Sequence, residues 1–360
     1  MKFGVMVDTS VDKWDLIQYA EELGYHRAWV PDSQMIWSDC YVTMGLAAAN
    51  TKRIHIGTGM TTPGTRIAPV TAHSIATINR LAPGRTFLGI GTGNTVMRLL
   101  GQDPVMPKEM REYVHIVRKL LNGEEVDYTY RGRTAEIQFM MQDRNYMNVK
   151  DRVPIYIAAN GPLALAAAGE VGDGWMMASK SLKDAQGGLK IINGAAAKIN
   201  RTLPADYLAS ALTTTCVLRP GENLTSERVI NETGAWVTSV LHFAYEIWQK
   251  GNRDDKLILP LFADVWEDYI RQVDSINRPP RERFREIHDG HCTFVQEKER
   301  RFVTPKTIRA TCMVGEPDDI VEQLRQLERT GVNEIAILPS ADTQRGVFSD
   351  FATHVMPHFQ

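Results

Sequence analysis

The chain has 360 residues, 43% of them hydrophobic, enough to bury one large core or two smaller ones. Its 41 basic and 43 acidic side chains leave a net charge of −2, which excludes a strong field for nucleic acid or an anionic membrane. The opening residues MKFGVMVD run straight into a strand, without a basic segment followed by an apolar one, so no signal peptide is expected. The most apolar later stretch, 155–171, is interrupted by Asn160, Gly161 and Pro162 and is too broken to span a membrane. Four scattered cysteines, Cys40, Cys216, Cys292 and Cys312, read as free thiols of a reducing cytosol.

Residues 2–8 read as an apolar strand ending in an acid. A helix comes next, with Trp14, Ile17, Ala20 and Leu23 on roughly one face and a stop at Gly24. The second strand is 27–30, leaving through Pro31, Asp32 and Ser33; a helix over 40–50 leads to a third strand at 53–56. That strand opens into Gly57, Gly59 and the polar cluster Thr61-Thr62-Pro63-Gly64-Thr65. A helix over 70–81 and a Pro83-Gly84 turn precede the fourth strand, 86–90, which ends at Gly91-Thr92-Gly93-Asn94. Two strands joined by a helix, each with a Gly/Thr loop at its carboxyl end, predict a parallel βαβ unit.

Met110, Val114, Val117 and Leu121 then form a helical stripe, and 128–137 reads as a polar hairpin. A fifth strand, 153–159, leaves through Asn160-Gly161-Pro162 into an alanine-rich helix. The sixth is 173–178 and the seventh 211–218. Pro317, Asp318 and Asp319 start a helix that Gly331 stops, before an eighth strand at 333–339 and a closing helix. Eight such strands predict a single (β/α)8 TIM-barrel domain over 1–360, with a doubly wound sheet as the alternative. Residues 223–304 break the alternation and read as a mostly helical insertion or lid.

In such a barrel, reacting groups sit at the carboxyl ends of the strands. That rule selects Asp8, Asp32, Ser33, Gly59, Met60, Thr61, Thr62, the 91–94 and 160–162 loops, and Ser179. The set lacks nucleophile–base pairs and is rich in Gly, Thr and Asn. Such loops let backbone N–H groups approach a planar polar ring or a phosphate, and the strand-to-helix junction at 160–162 suits a phosphate. A bound cofactor is therefore expected to carry the chemistry.

Plainer readings stand beside these. Gly59 and Gly91 can relieve crowding, Asp8 can cap a helix or pair at the rim, and Trp37 can be packing. GTGN lacks the third glycine of a dinucleotide fingerprint. His288 and His291, in HDGHC, have a spacing that can hold a metal. No acidic or thiolate partner stands at a diagnostic distance in the sequence, so a polar lid role is preferred and no metal is expected.

The segments KFGVMVD, RAWVPDSQMIWSD, RIHIGTGMTTPGTR, GRTFLGIGTGN, MREYVHIVRKLLNGE, IYIAANGPLALAAAGEVGDGW and GEPDDIVEQLRQLERTGVNEIAIL together resemble the bacterial luciferase-like superfamily. This group holds (β/α)8 flavin monooxygenases and F-420 deazaflavin oxidoreductases, methylene-tetrahydromethanopterin reductases among them. The resemblance implies a cofactor ring across the carboxyl face and a non-prolyl cis peptide after the third strand, here Gly59–Met60. Thr61 and Thr62 would line the ring's polar edge, and Gly91, Thr92, Gly93 and Asn94 its other side. Asn160, Gly161 and Pro162 would reach toward the phosphate tail.

Asp32, Ser33 and Trp37 match positions where alcohol- and sugar-oxidising deazaflavin relatives carry Asp, His and Trp. Ser33 thus replaces a catalytic histidine, and Asn94 stands where many such relatives have Asp or Glu. These departures favour a two-component FMN monooxygenase, using reduced flavin and O2 on a small organic substrate and served by a separate flavin reductase. An F-420-dependent reductase or dehydrogenase acting on a small organic or pterin-like substrate is the alternative, and a non-catalytic flavin-binding relative the third reading. Asp8, Asp32 and Trp37 are expected on the substrate side, with His288 and His291 as proton donors from the insertion. By the same resemblance the chain is expected to be a homodimer or higher homo-oligomer, and the start and the free cysteines make the expected location cytoplasmic.

Overall fold

A computed structural model describes residues 1–359, with the backbone alone described for Pro280 and Arg281. The predicted (β/α)8 barrel is present. Its strands are Lys2–Met6, Arg27–Val30, His55–Thr58, Thr86–Ile90, Ile155–Ala158, Gly174–Met177, Leu208–Thr213 and Glu334–Ile337, closed in that cyclic order. The pairings from the first of these strands through the seventh are parallel, so loops of one kind gather at one end. The chain forms two compact units, Met1–Ala211 with Leu327–Ala336, and Leu212–Gln326 with Ile337–Gln360.

The barrel interior is filled by a few large side chains beside very small ones. Trp29 and Phe87 pack edge to face with ring centres 4.5 Å apart, and Tyr156 lies 5.3 Å from Phe87. Glycine makes the room. A methyl group on Gly57 would sit 2.4 Å from the Phe87 ring, and one on Gly174 would sit 2.7 Å from the Tyr156 ring. Among these rings lies a buried ion pair between Arg27 and Glu334. Trp29 Nε1 and Ser210 Oγ donate to the same carboxylate, at 3.2 and 3.0 Å, and the Arg27 guanidinium lies over both the Phe87 and Tyr156 rings. The desolvated charges are therefore paired, hydrogen-bonded and stacked.

The apolar stripe predicted around Met110 is the buried face of helix Pro107–Leu121, and the polar hairpin forms from Val126–Tyr130 and Arg133–Ile137. Three details differ from the sequence expectation. The third strand starts at His55 because the Glu21 carboxylate accepts the backbone N–H groups of Lys52, Arg53 and Ile54 and holds them out of the ladder. The predicted seventh strand is two elements. Leu208–Thr213 stays in the barrel, while Thr215–Val217 pairs with Met313–Gly315 in a separate parallel sheet. Three consecutive threonines, Thr213 to Thr215, stand at that change of partner, and as β-favouring residues they carry the run through it without a turn signal. Finally, the loop after the fourth strand turns at once into a short helix, Asn94–Leu99.

The second unit carries helices Glu227–Lys250, Trp266–Asp274 and Pro280–Ile287 within residues 223–304. Among the described residues, no helix is long and apolar enough to cross a membrane.

The buried pair gives a stability test. Glu334→Ala should lower the urea-unfolding free energy by about 3–5 kcal/mol, because Arg27 is left buried without its carboxylate. The double variant Arg27→Met/Glu334→Leu should recover most of that loss; an equal loss in both would show that the charge pairing is not what matters.

Candidate active site

The site is built from the loops at the carboxyl ends of the strands. Asp8 and Asp32 stand two residues past the first and second strands, and both are buried. The third strand runs into the Gly59–Met60 peptide, which is cis. Gly59 N donates to Val30 O at 2.7 Å, Thr61 N to Gly89 O at 3.0 Å, and Gly91 N to Thr61 O at 2.9 Å. The backbone thus rejoins the fourth strand through Thr61, and Met60 is the residue left out of the ladder.

One carboxylate organises this corner. Asp32 Oδ2 accepts the Thr61 hydroxyl at 2.7 Å and pairs with Arg66, while Oδ1 accepts from Gln34. Arg66 also pairs with Asp39 at 3.0 Å, lies over the Tyr41 ring, and accepts from Tyr113 at its carbonyl. Burial, reinforced by the nearby Asp32 charge, pushes the Cys40 thiol well above its usual range. Sequence reasoning found Asp32 but missed Gln34 and Arg66. Arg66 ends the RIHIGTGMTTPGTR segment, and a cation closing that Gly/Thr loop was the available signal.

The two threonines differ. Thr61 has spent its hydroxyl proton on Asp32. Thr62 is buried, and its Oγ1 has no hydrogen-bond partner in the protein. An orphaned buried hydroxyl costs free energy unless a ligand takes it up. Gly93 backs it: with φ at +76° it is the left-handed cap of helix Asn94–Leu99, and a methyl there would sit 2.7 Å from Thr62 Oγ1.

The glycines separate too. Gly59 is demanded by packing, since its missing methyl would sit 2.7 Å from Trp29 Cβ. A methyl on Gly91 would meet Ala158 Cβ at 3.3 Å and Met60 Cβ only at 3.9 Å. Gly161 has open space in the same direction, with no atom within 4 Å. It is the exposed cap residue of helix Pro162–Val171, and Asn160 Oδ1 accepts Ala178 N across from the sixth strand. Asn94 Oδ1 accepts from Arg98 at 3.3 Å, Thr92 O accepts Val105 N at 2.9 Å, and Ser179 donates to Asp184 at 2.9 Å.

Asp8 has Lys13 at 3.7 Å, and Trp37 is half-buried, its backbone N–H donating to Ser33 O. His288 and His291 belong to the second unit. His288 Nε2 faces Glu246 at 2.6 Å, its Nδ1 faces His291 Nδ1 at 3.4 Å, and burial pushes its pKa down to about 4. It is a neutral imidazole near pH 7.

Residues 8–334 match the family described as luciferase-like monooxygenase. The 5,10-methylenetetrahydromethanopterin reductase of Archaeoglobus fulgidus is 25% identical, over 93% of this chain and 92% of that enzyme. The F-420-dependent glucose-6-phosphate dehydrogenase of Beutenbergia cavernae is 35% identical, over 52% of this chain and 60% of that enzyme. The structure of the coenzyme F-420 dependent tetrahydromethanopterin reductase from Methanopyrus kandleri superposes with a TM-score of 0.72 at 20% identity, covering 100% of this chain and 99% of that one. With a matched span running through nearly the whole barrel, the chain belongs to the luciferase-like monooxygenase family and is an oxidoreductase of that family.

Proposed function

We propose that this protein is an F-420-dependent oxidoreductase that moves a hydride between the deazaflavin and a small organic or pterin-like substrate. The observation that carries the reading is the buried, unpartnered Thr62 hydroxyl beside the Gly59–Met60 bulge, a polar group the fold leaves for something other than protein. F-420 is favoured over FMN by the dehydrogenase and reductase relatives whose names carry that coenzyme. This reverses the order that Ser33 and Asn94 suggested from the sequence.

Thr62 and the backbone around Gly91 would hold the polar edge of the ring. Asn160, Gly161 and the first N–H groups of helix Pro162–Val171 would take the phosphate end. Bound there, the coenzyme supplies a two-electron hydride donor or acceptor. Asp32 is neutralised by Arg66 and fully hydrogen-bonded, so its part is to fix Thr61 and the bulge, and not to serve as a free base. Asp8 and Trp37 remain on the substrate side. The FMN monooxygenase is the second reading; Ser33 and Asn94 favour it, and it requires a separate flavin reductase.

Titration with F-420 and with FMN, each oxidised and reduced, tests the choice. F-420 should bind at micromolar levels and FMN much more weakly; the reverse order, with oxygen consumption by the reduced FMN complex, would establish the monooxygenase.

Two variants test the cradle. Thr62→Val should weaken F-420 binding about 3–10-fold while stabilising the cofactor-free protein by ~1 kcal/mol, since it removes an orphaned hydroxyl. Loss of stability with unchanged affinity would take Thr62 out of the site. A Cβ at position 161 meets no protein atom within 4 Å, so Gly161→Val should leave the melting temperature nearly unchanged and still cost affinity by obstructing the ligand. Affinity equal to the wild type would remove that loop from the phosphate contact.

A further inference from the structure

The second unit holds a buried cluster of imidazoles that the barrel chemistry does not use. His242 comes from the middle of helix Glu227–Lys250, His288 from the end of helix Pro280–Ile287, and His291 from the turn just beyond it. One ligand nitrogen from each lies within 4.8 Å of the other two. The sequence showed His288 and His291 without a partner; folding supplies His242.

The hydrogen bonds show which nitrogens the carboxylates take and which they leave over. His242 Nε2 is 3.0 Å from Glu299, and His288 Nε2 is 2.6 Å from Glu246. Each carboxylate draws the ring proton to Nε2 and leaves a lone pair on Nδ1. His242 is 1% exposed, and its Nδ1 has no partner. The Nδ1 atoms of His288 and His291 are 3.4 Å apart, the edge expected for two imidazole nitrogens ~2.05 Å from one tetrahedral ion. A simple hydrogen bond between those two rings accounts for that contact, but it leaves His242 Nδ1 orphaned.

We propose that His242, His288 and His291 form a three-nitrogen site for a late divalent transition ion of the zinc class, oriented by Glu299 and Glu246. Carboxylates directed at the outer nitrogens of ligating histidines are the usual second layer of such centres. Three neutral nitrogen donors suit zinc, cobalt or copper and not calcium or magnesium. The fourth position is open to water. The Tyr269 ring stacks beside His242 and the Phe284 ring lies tilted against His288, walling the centre, while the partial exposure of His291 gives an ion a way in. The ion clips the 288–291 turn to the long helix, which joins segments distant in the chain.

The test uses untagged full-length protein, stripped with a chelator and then titrated with zinc and, separately, with cobalt. Elemental analysis should find one equivalent of zinc after dialysis, and cobalt should give the visible absorption bands of a four-coordinate nitrogen site. Glu299→Gln should weaken zinc binding roughly 10–100-fold. His291→Gln, at the partly exposed ligand, should weaken it at least as much with the circular dichroism unchanged. Failure of the wild type to retain zinc and to give a cobalt spectrum would overturn the proposal, and so would variants that bind zinc as tightly as the wild type. F-420 titration of the stripped protein keeps this result separate from the reading of the barrel.

Discussion

The rim of the barrel depends on the buried Asp32 carboxylate. It takes the Thr61 hydroxyl, the Gln34 amide and the Arg66 guanidinium, and so ties the loop after the second strand to the loop after the third. A lone carboxylate at 2% exposure would be costly. Arg66 offsets it, and Arg66 is itself held by Asp39 and the Tyr41 ring. This network holds Thr61 where it rejoins the ladder, just past the cis Gly59–Met60 peptide. The Asp32 and Arg66 charges thereby serve the scaffold, while the buried hydroxyl of the neighbouring Thr62 has no partner in the protein.

A second buried ion pair plays a comparable part lower in the barrel. Arg27 and Glu334 fill the lumen among Trp29, Phe87 and Tyr156, so this part of the cylinder is a packed core. Glycines in register on the neighbouring strand are what admit such large rings, and Gly57, paired with Phe87, is one of them.

Much of this was legible in the chain. Short apolar strands ending in Gly/Thr loops, separated by amphipathic segments, specify the barrel because parallel strands need covering helices. The rim positions come from strand ends alone. What stayed hidden depends on distant partners. No local pattern tells Thr61, spent on Asp32, from Thr62, left over. The capture of residues 52–54 by Glu21 is set by the fold, and so is the departure of Thr215 from the barrel to pair with Met313. His242 lies far in sequence from His288 and joins it only through the packing of two helices. Comparison with relatives, and not the residues themselves, moved the cofactor preference from FMN to F-420, since Ser33 and Asn94 argued the other way.

The central claim is that the carboxyl rim holds a deazaflavin ring without charged side chains gripping it. The absorbance spectrum of the protein purified from an F-420-producing host, with the mass of whatever it carries, tests this most directly. A deazaflavin spectrum and the mass of an F-420 species, released on denaturation, are the expected result. A protein that emerges carrying FMN from that host, or that takes up neither chromophore when both are offered in excess, would contradict the claim.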